Sequence, residues 1–272
     1  MHYRILFLIF LLISGKLLAI HEPKNIGARA IGMGNIGVVG IGFNSVYNNQ
    51  AALAYLQNTS IGIDYHQGFF ADHALGTKSA AFILPTGAGS FGLSMTYFGY
   101  SEYNEQKIGL AYGKALGKHL AIGVQLDYFR TYIGSDYGNA HALSFEIGIY
   151  SKLSESSELG AHIFNPIGME IGDINREAIA IGFQFGLLYR IDDQLLLATE
   201  VEKILDQKTS YKFGLEYHII DHFIVRTGVA TSPTLFTFGF GLKMKRLLVD
   251  IGTGFHQTLG FTPRVSLIFN LK

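Results

Sequence analysis

The stretch TLFTFGFGLKMK, residues 234–245, decides the fold, because a phenylalanine stands at every second position from 236 to 240 and only Thr or Gly stands between them. Successive side chains of a β-strand point to opposite faces, so the three rings share one face. A half-buried strand of a soluble sandwich would carry charged or large polar groups on the other face. A transmembrane barrel strand instead turns one face to lipid and the other to a crowded interior. The stretch leaves these two alternatives, and the rest of the chain decides between them.

The same period of two recurs from about residue 59 onward. Large apolar residues alternate with small or polar ones in residues 120–128, 143–149, 179–189, 211–219 and 265–271, and short turn signals such as PTGAG (85–89) and IDDQ (191–194) separate the runs. The runs predict about fourteen strands, each near the roughly 9–11 residues that a tilted strand needs to cross a bilayer. A soluble propeller or large sandwich would show polar outer faces and a blade-length repeat, and the sequence has neither. We therefore predict an all-β fold, an antiparallel transmembrane β-barrel over residues 59–272.

Composition limits the classes of function. Lys and Arg together number 21, as do Asp and Glu, so the chain lacks the basic surface that nucleic acid requires. Charged residues make up 15% of the chain, against roughly 25% in ordinary soluble domains, and 33 residues are Gly. The absence of Cys excludes disulfides, thiolate metal ligands, Cys nucleophiles and an acylated lipoprotein N-terminus. We predict no nucleic-acid partner and no cofactor.

The N-terminus has the pattern of a secretory signal peptide, which we assign to residues 1–19. A basic residue, Arg4, precedes the apolar run 5–13, and small and polar residues follow before Ala19. An uncleaved membrane anchor is the alternative, but Lys16 interrupts the apolar run and leaves it shorter than a spanning helix needs. The signal predicts export, and with the barrel it predicts an integral protein of the Gram-negative outer membrane that is surrounded by outer-membrane lipid.

Residues 20–58 precede the first strand and are predicted to form a plug. Residues 26–58 show no period of two and are rich in small residues. Many inward positions of the predicted strands are Gly, Ala or Ser, so the lumen has room for such a segment. We expect short helices and turns against the inner wall, with NNQAALAYL (48–56) as the most helical piece.

The segment GARAIGMGNIGVVGIGFNSVYNNQAALAYL (27–56) resembles the N-terminal region of the outer-membrane long-chain fatty-acid transporter family (FadL-type). It is closer still to the PorV/PorQ branch associated with type IX secretion, in which a Gly-Ala-Arg stretch leads into a motif like Y-x-N-P-A-G-L-A. The corresponding residues here are Tyr47, Asn49, Gln50, Ala51, Ala52, Leu53 and Ala54, with Gln50 and Ala52 replacing the Pro and the Gly. LGAHIFNPIG (159–168) similarly resembles the family's mid-barrel strand that ends in an Asn and Gly turn.

This resemblance implies a fourteen-stranded barrel with an N-terminal hatch in its lumen. In FadL-type members hydrophobic ligands enter from outside and leave through a lateral opening, whereas PorV-type members bind partner proteins. The plug motif and the short loops favour an accessory or docking component of protein secretion, whose partners would be secretion-machinery proteins. The alternative is a FadL-like channel for the uptake of hydrophobic small molecules such as fatty acids.

Charged residues at the alternate strand positions that face the interior, which we call inward parity, are predicted to form a network in the lumen. They are Glu146, Glu200, Glu202, Lys212, Glu216, Arg226, Lys243, Asp250 and Arg264. Buried charges are tolerated only when they are paired, so the expected role of the network is to fasten the plug to the wall by salt bridges. A polar conduction path is the functional alternative.

Two further patterns invite a binding site but have simpler explanations. GMGNIG (32–37) matches the dinucleotide-binding pattern, yet no strand precedes it and no acidic ribose partner follows, so flexible plug glycines account for it better. His218, Asp221 and His222 straddle a hairpin turn, where a solvated turn is expected rather than a metal site.

The sequence also contains serine and histidine pairs of the kind that outer-membrane lipases use. The candidates are His141 with Ser144 and His256 with Ser266, and the first pair already has opposite parity on an ideal strand. Nothing marks a nucleophile, so we predict no catalytic residues and no metal site.

Overall fold

The computed structural model describes residues 21–68, 75–134, 138–172, 177–257 and 260–271. Within these ranges, fourteen antiparallel strands form a closed barrel in which each wall strand pairs with the next one along the chain and the first pairs with the last. The predicted fold class is confirmed. The predicted signal peptide, residues 1–19, lies outside the described residues.

The wall strands are β1 (Ser60–Gln67), β2 (Gly76–Thr86), β3 (Gly89–Gly99), β4 (Tyr103–Ala115), β5 (Leu120–Ile133), β6 (Gly138–Lys152), β7 (Ser157–Phe164), β10 (Gly182–Arg190), β11 (Leu195–Ile204), β12 (Ser210–Ile220), β13 (Phe223–Thr231), β14 (Thr234–Met244), β15 (Leu247–His256) and β16 (Gly260–Asn270). A small hairpin, β8 (Glu170–Ile171) and β9 (Glu177–Ala178), lies between β7 and β10. We call the end where β2, β4 and β6 finish the turn end, and the end where β1, β3 and β5 finish the loop end.

The outer face of the barrel is apolar. In β14 the rings of Phe236, Phe238 and Phe240 are 52%, 54% and 54% exposed, while Thr237 between them is fully buried. The same alternation of exposed and buried residues runs along the other wall strands, because the side chains of a strand point alternately outward and inward. The phenylalanine row of residues 234–245 therefore lies on the outside of the barrel.

The segment before β1 fills the interior as a plug. It contains two short helices, α1 (Ala28–Gly32) and α2 (Ser45–Asn48), and a 3₁₀ helix, η1 (Gln50–Tyr55). Asn49 caps η1 by accepting a hydrogen bond from the backbone N of Ala51 at 3.2 Å. No helix in the described ranges combines the length and apolar character needed to cross a membrane.

Glycines on the inner wall form the seat of this plug. A Cβ atom on Gly123 would lie 2.1 Å from the backbone N of Ala51, and one on Gly228 would lie 2.2 Å from the backbone N of Gly34. A Cβ on Gly239 would similarly lie 3.0 Å from Cα of Gly32. Plug backbone and wall backbone are thus in direct contact, which explains why small residues oppose the phenylalanine row of β14.

One predicted strand is shorter than expected. The alternation predicts a strand over 177–190, but the wall strand begins only at Gly182. Ile179, expected on the outer face, is 1% exposed and packs inside the barrel against Phe129 and Phe164. The chain leaves the wall at Asn165, which adopts φ 49, a left-handed conformation that Asn tolerates better than most residues. We call residues 165–172 and 177–181 the inward segment.

Candidate functional site

The plug is clamped to the wall by Glu200 on β11. Its Oε2 accepts hydrogen bonds from the backbone N of Gly37 at 2.8 Å and of Val38 at 2.9 Å. Its Oε1 accepts from the side chains of Asn25 at 3.1 Å and Lys212 at 2.7 Å. One buried carboxylate therefore holds two separate parts of the plug and is itself neutralised by a wall lysine.

Lys212 also bonds Glu202, whose Oε2 lies 2.9 Å from its Nζ. Glu202 in turn accepts from the side chain of Gln184 at 2.8 Å, and Gln184 donates to Oδ1 of Asn25 at 3.0 Å. Glu202 thus belongs to the same cluster as Glu200, and it reaches the plug through Gln184 and through Lys212, whose Nζ donates to the backbone O of Asn35 at 3.2 Å.

A second cluster joins α1 to strands β12, β13 and β15. Nε of Arg29 lies 2.8 Å from Oε2 of Glu216, and Nε of Arg226 lies 2.6 Å from the same oxygen. Arg226 also contacts Oδ1 of Asp250 at 2.6 Å. Two guanidinium groups face two carboxylates, so the cluster is balanced in charge. This pairing is the condition under which buried charge is tolerated.

A third cluster surrounds Glu146 on β6. Its Oε1 pairs with Lys107, while its Oε2 accepts from the side chain of Gln50 at 2.8 Å and lies 3.0 Å from Nε2 of His162. Nζ of Lys107 also lies 3.5 Å from Oδ1 of Asp127. The wall carboxylate therefore holds the start of η1.

The two remaining residues of the predicted network behave differently. Arg264 is buried and donates from Nη1 to the backbone O of Asn25 at 2.5 Å, so it contacts the plug through a carbonyl. Lys243 is exposed at the turn end and makes no ion pair with any residue in the described ranges. Lys243 lines the mouth of the barrel at the turn end, near the end of β14, where its side chain reaches solvent.

The plug motif is attached to the wall by hydrogen bonds and by apolar contacts. Asn49 donates from Nδ2 to the backbone O of Val38 at 2.9 Å and to that of Ile149 at 3.1 Å, so it links two plug segments to β6. The other members pack against the wall. Ala51 and Ala52 contact Ala121 and Tyr150, Leu53 and Tyr47 contact Ile83 and Ala111, Gln50 bonds Glu146, and Ala54 is partly buried.

Four residues of the network were not among the sequence candidates: Arg29, Lys107, Asp127 and His162. The last three have inward parity on β4, β5 and β7, and Arg29 is the Arg of the Gly-Ala-Arg stretch. The inward parity of Lys107, Asp127 and His162 is thus a signal that the sequence does contain, whereas Arg29 lies in the plug and has no strand parity.

The wall has a gap at the loop end. β6 extends from Gly138, yet its pairing with β7 stops where Glu146 faces Phe164. Residues 138–145 pair with β5 on one side, while on the other side the inward segment crosses inside the barrel. Asn165 ties that segment down by accepting from Ser144 Oγ at 2.6 Å and donating to the backbone O of Ile179 at 2.9 Å.

A cavity of about 70 Å³ is lined in part by Glu146 and Phe164, the pair at which β6 and β7 part. Its walls include Phe129 and Phe164, which stand at the base of the gap, and residues 21–26, which we call the N-terminal strap. His21 of the strap lies edge-on to Phe129 with ring centroids 4.9 Å apart, and Nε2 lies 2.8 Å from Thr131 Oγ1. Burial lowers the pKa of His21 to about 4, so the imidazole is neutral near pH 7.

The turn end holds a separate vestibule of about 370 Å³. Arg29, Glu216 and Asp192 are among the residues that line it, so its surface is charged and mixed in sign. The plug lies between this vestibule and the cavity at the gap, whose lining combines Phe129 and Phe164 with Glu105, Lys107 and Glu146.

The weaker sequence patterns do not assemble into sites. His141 points outward, where Nδ1 lies 2.7 Å from the hydroxyl of Tyr128, while Ser144 points inward to Asn165. His256 pairs in register with residue 260, whereas Ser266 faces residue 250, about 20 Å further along β15.

The other two patterns have structural roles. Within GMGNIG, the backbone N of Gly34 donates to Thr237 Oγ1 at 2.8 Å, and that of Gly37 donates to Glu200. These amides are therefore already bound to the wall. His218 lies 3.2 Å from Glu216 Oε1, and no metal-binding group of His, Cys, Asp or Glu exists among the described residues.

Comparison with known proteins shows the fold. No family model and no curated protein matches the chain. The toluene transporter TbuX of Ralstonia pickettii superposes with a TM-score of 0.65 at 12% identity, over 90% of this chain and 97% of that one. The toluene transporter TodX of P. putida gives 0.68 at 12%, over 92% and 99%. A FadL homologue of Pseudomonas aeruginosa gives 0.65 at 12%, over 92% and 98%. Fold and site together define a plugged fourteen-stranded β-barrel with a FadL-type fold.

Proposed function

We propose that this protein is a channel of the outer membrane that takes up hydrophobic small molecules. The observation that carries the proposal is the gap between β6 and β7, which opens on a cavity lined by Phe129 and Phe164. A lateral opening beside an aromatic cavity suits cargo that partitions into lipid. The similarity in fold to toluene transporters supports this function over a role in secretion.

The orientation follows from the connections and the outer surface. Connections at the turn end are short, as at residues 87–88, 221–222 and 245–246, while β7 and β10 are separated at the loop end by seventeen residues, of which 165–172 and 177–181 are described. Transmembrane barrels have short periplasmic turns and longer external loops. We therefore place the loop end outside the cell and the apolar outer face in the bilayer. The N-terminal boundaries, a signal peptide over 1–19 and a plug over 20–58, are part of the same proposal.

Cargo would enter the cavity from the loop end and leave sideways through the gap. The cavity of about 70 Å³ is well below the roughly 300–1,000 Å³ of ordinary ligand pockets, so it must enlarge. The strap lines the cavity without belonging to the wall, and Ile171 and Ile179 of the inward segment pack with its wall residues Phe129 and Phe164, so displacement of these two elements would supply the volume. The buried charge clusters are assigned a fastening role, and no residue is assigned a catalytic one.

The experiment is an uptake assay with a reversible tether across the gap. The chain has no Cys, so a variant with Ser144→Cys and Asn165→Cys contains only two thiols, and the contact between the native side chains places them close enough for a disulfide. Cells that produce the variant should take up radiolabelled toluene or oleate when it is reduced and lose uptake when a mild oxidant joins the two thiols. A reductant that cleaves the disulfide should restore uptake. Equal uptake in all three states, or no uptake above cells without the protein, would reject the proposal.

One observation favours a docking role as the second candidate. The lumen is filled, and the cavity at the gap has no room for a ligand in this conformation. A barrel that serves as a docking platform for secretion proteins, as the PorV/PorQ-like motif suggests, needs no open lumen. Crosslinked pull-down from native membranes distinguishes the two: a stable large partner together with absent uptake would support docking.

A further inference from the structure

The charges on the outer face of the barrel have one sign. Among the described wall strands, no Asp or Glu has outward parity, whereas Lys78, Lys114, Arg130 and Lys203 do. Three of these four cations lie toward the loop end, and Lys114 lies toward the turn end. His141 is outward at the loop end as well. Among the outward side chains of the described wall strands, the formal charge at the loop end is therefore positive.

Two of these cations belong to a single row across neighbouring strands. Lys78 faces Tyr97, Tyr97 faces Gln106, Gln106 faces Arg130, and Arg130 faces His141 in the strand register. We call these five residues the outer row. Neighbouring strands are about 4.8 Å apart, so the row spans about 19 Å of the outer surface from β2 to β6.

The outer row is the first polar row above the apolar surface. The next outward residues toward the turn end are Ala80, Met95, Ile108, Tyr128 and Leu143. Met95, Ile108 and Leu143 are among the exposed large hydrophobic residues of the barrel. A molecule lying on this surface thus meets apolar side chains along its length and cations at its upper end.

The polar groups of the row retain hydrogen-bonding capacity. Arg130 uses Nε to donate to Asn139 Oδ1 at 2.9 Å, which leaves its two amino groups for another acceptor. His141 uses Nδ1 in its contact with Tyr128, which leaves Nε2. Nζ of Lys78 lies 5.8 Å from the Tyr97 ring and has no carboxylate partner within the described ranges. Arg130 and His141 face each other, so a guanidinium beside an imidazole matches the oxygens of one phosphate group, and Lys78, three strands or about 14 Å away, adds positive charge along the same row.

We propose that the outer row binds the phosphate group of an anionic lipid in the surrounding leaflet, with the acyl chains on the apolar rows below. The proposal rests on the barrel being membrane-inserted but not on what the barrel transports. Positive charge next to a bilayer attracts anionic lipid, at about 1 kcal/mol or about fivefold in affinity for each Lys or Arg. A soluble partner fits less well, because the row sits directly above the lipid-facing surface.

The test is native mass spectrometry of the purified full chain in detergent with defined lipids. The probes are bis-phosphorylated lipid A, the same lipid after enzymatic dephosphorylation, and phosphatidylglycerol. The variant is Lys78→Gln with Arg130→Gln, and Lys114→Gln is the matched control at the turn end. We expect the double variant to retain phosphorylated lipid about 25-fold less well than the unmodified protein, from two fivefold effects. The control should lose nothing, and heat-modifiable migration should confirm that each barrel is folded.

The comparison of probes identifies the source of the phosphate. Preferential retention of lipid A supports a glycolipid of the outer leaflet, and equal retention of phosphatidylglycerol supports any phosphate-bearing lipid. Retention that is unchanged in the double variant, or equal for dephosphorylated lipid A, would overturn the proposal. Displacement by equimolar inorganic phosphate would overturn the assignment to a lipid. Because the assay needs no transport, its failure is distinct from a failure of uptake.

Discussion

Replacing Glu200 by Gln should loosen the plug without unfolding the barrel. The carboxylate accepts two backbone N–H groups on one oxygen and the side chains of Asn25 and Lys212 on the other. A Gln of the same size has a single acceptor oxygen. With its amide nitrogen in the place of Oε2, the backbone N–H groups of Gly37 and Val38 lose their acceptor, whereas Asn25 and Lys212 also bond the backbone O of Asn35.

The size of the effect follows from those lost bonds. A buried donor without a partner costs about 1–3 kcal/mol, so two of them weaken plug docking by about 2–6 kcal/mol. Because about 1.4 kcal/mol corresponds to a factor of ten, the population of the open plug should rise at least about thirtyfold. The wall should stay closed, since its strand pairing does not depend on Glu200 side-chain bonds.

Thiol labelling measures this opening directly. Val38 is fully buried and holds the plug through its backbone, so Val38→Cys introduces a single thiol that a maleimide reaches only when the plug opens. The labelling rate should rise at least about thirtyfold when Glu200→Gln is added. Glu202→Gln is the matched control, because it removes the same charge two residues away but has no direct bond to the plug. Equal labelling of the two variants would refute the clamp.

Three further changes should alter the plug or the gap. Gly123→Val should displace η1, because even its Cβ would lie 2.1 Å from the backbone N of Ala51; the crowding should cost about 1–3 kcal/mol and raise labelling of the buried thiol. Asn165→Ala should release the inward segment and increase uptake, since it leaves the buried carbonyl of Ile179 without its donor at a cost of about 1–3 kcal/mol. Lowering the pH should loosen the strap. The folded-state pKa of His21 is about 4, below the ordinary 6.5. The contribution of His21 to strap stability is therefore fully present above pH 6.5 and is lost as the pH falls toward 4. At pH 5.5 it should be about 1.4 kcal/mol lower, and hydrogen exchange of the strap measures the change.

Each of these has a matched control or a contrary outcome. Gly87→Val tests the first, because nothing lies within 4 Å of a Cβ at Gly87, and equal labelling in both variants would contradict the glycine seat. For the second, Asn139→Ala removes an amide from the outer face of β6, and uptake that rises equally in both would contradict the role of Asn165. For the third, His21→Phe keeps the ring and should abolish the pH dependence; exchange that still accelerates would point to another group.

The barrel was predictable because parity is a local property of each strand. In β14 the sequence places its rings outward and its Gly and Thr inward, and the structure places them the same way. The plug was predictable by elimination, since the residues before β1 have no period of two and the wall leaves room for them.

The pairs within the lumen were not predictable from parity. Glu200 meets Gly37 and Lys212 because the closed sheet brings them together. The alternation of residues along a strand does not specify which residues of the neighbouring strand or of the plug lie beside it. The gap was also missed, because residues 177–181 keep the alternating pattern of a strand. Only the left-handed turn at Asn165 and the packing of Ile179 on Phe129 take that run out of the wall.

The position of the gap has a consequence for the electrical tightness of the membrane. Cargo that leaves sideways, between β6 and the inward segment, never has to cross the part of the plug that Glu200, Arg29 and Glu146 hold. Under the proposed function, apolar molecules would pass into the bilayer while ions meet an intact seal. A planar bilayer containing it should therefore show almost no current during transport.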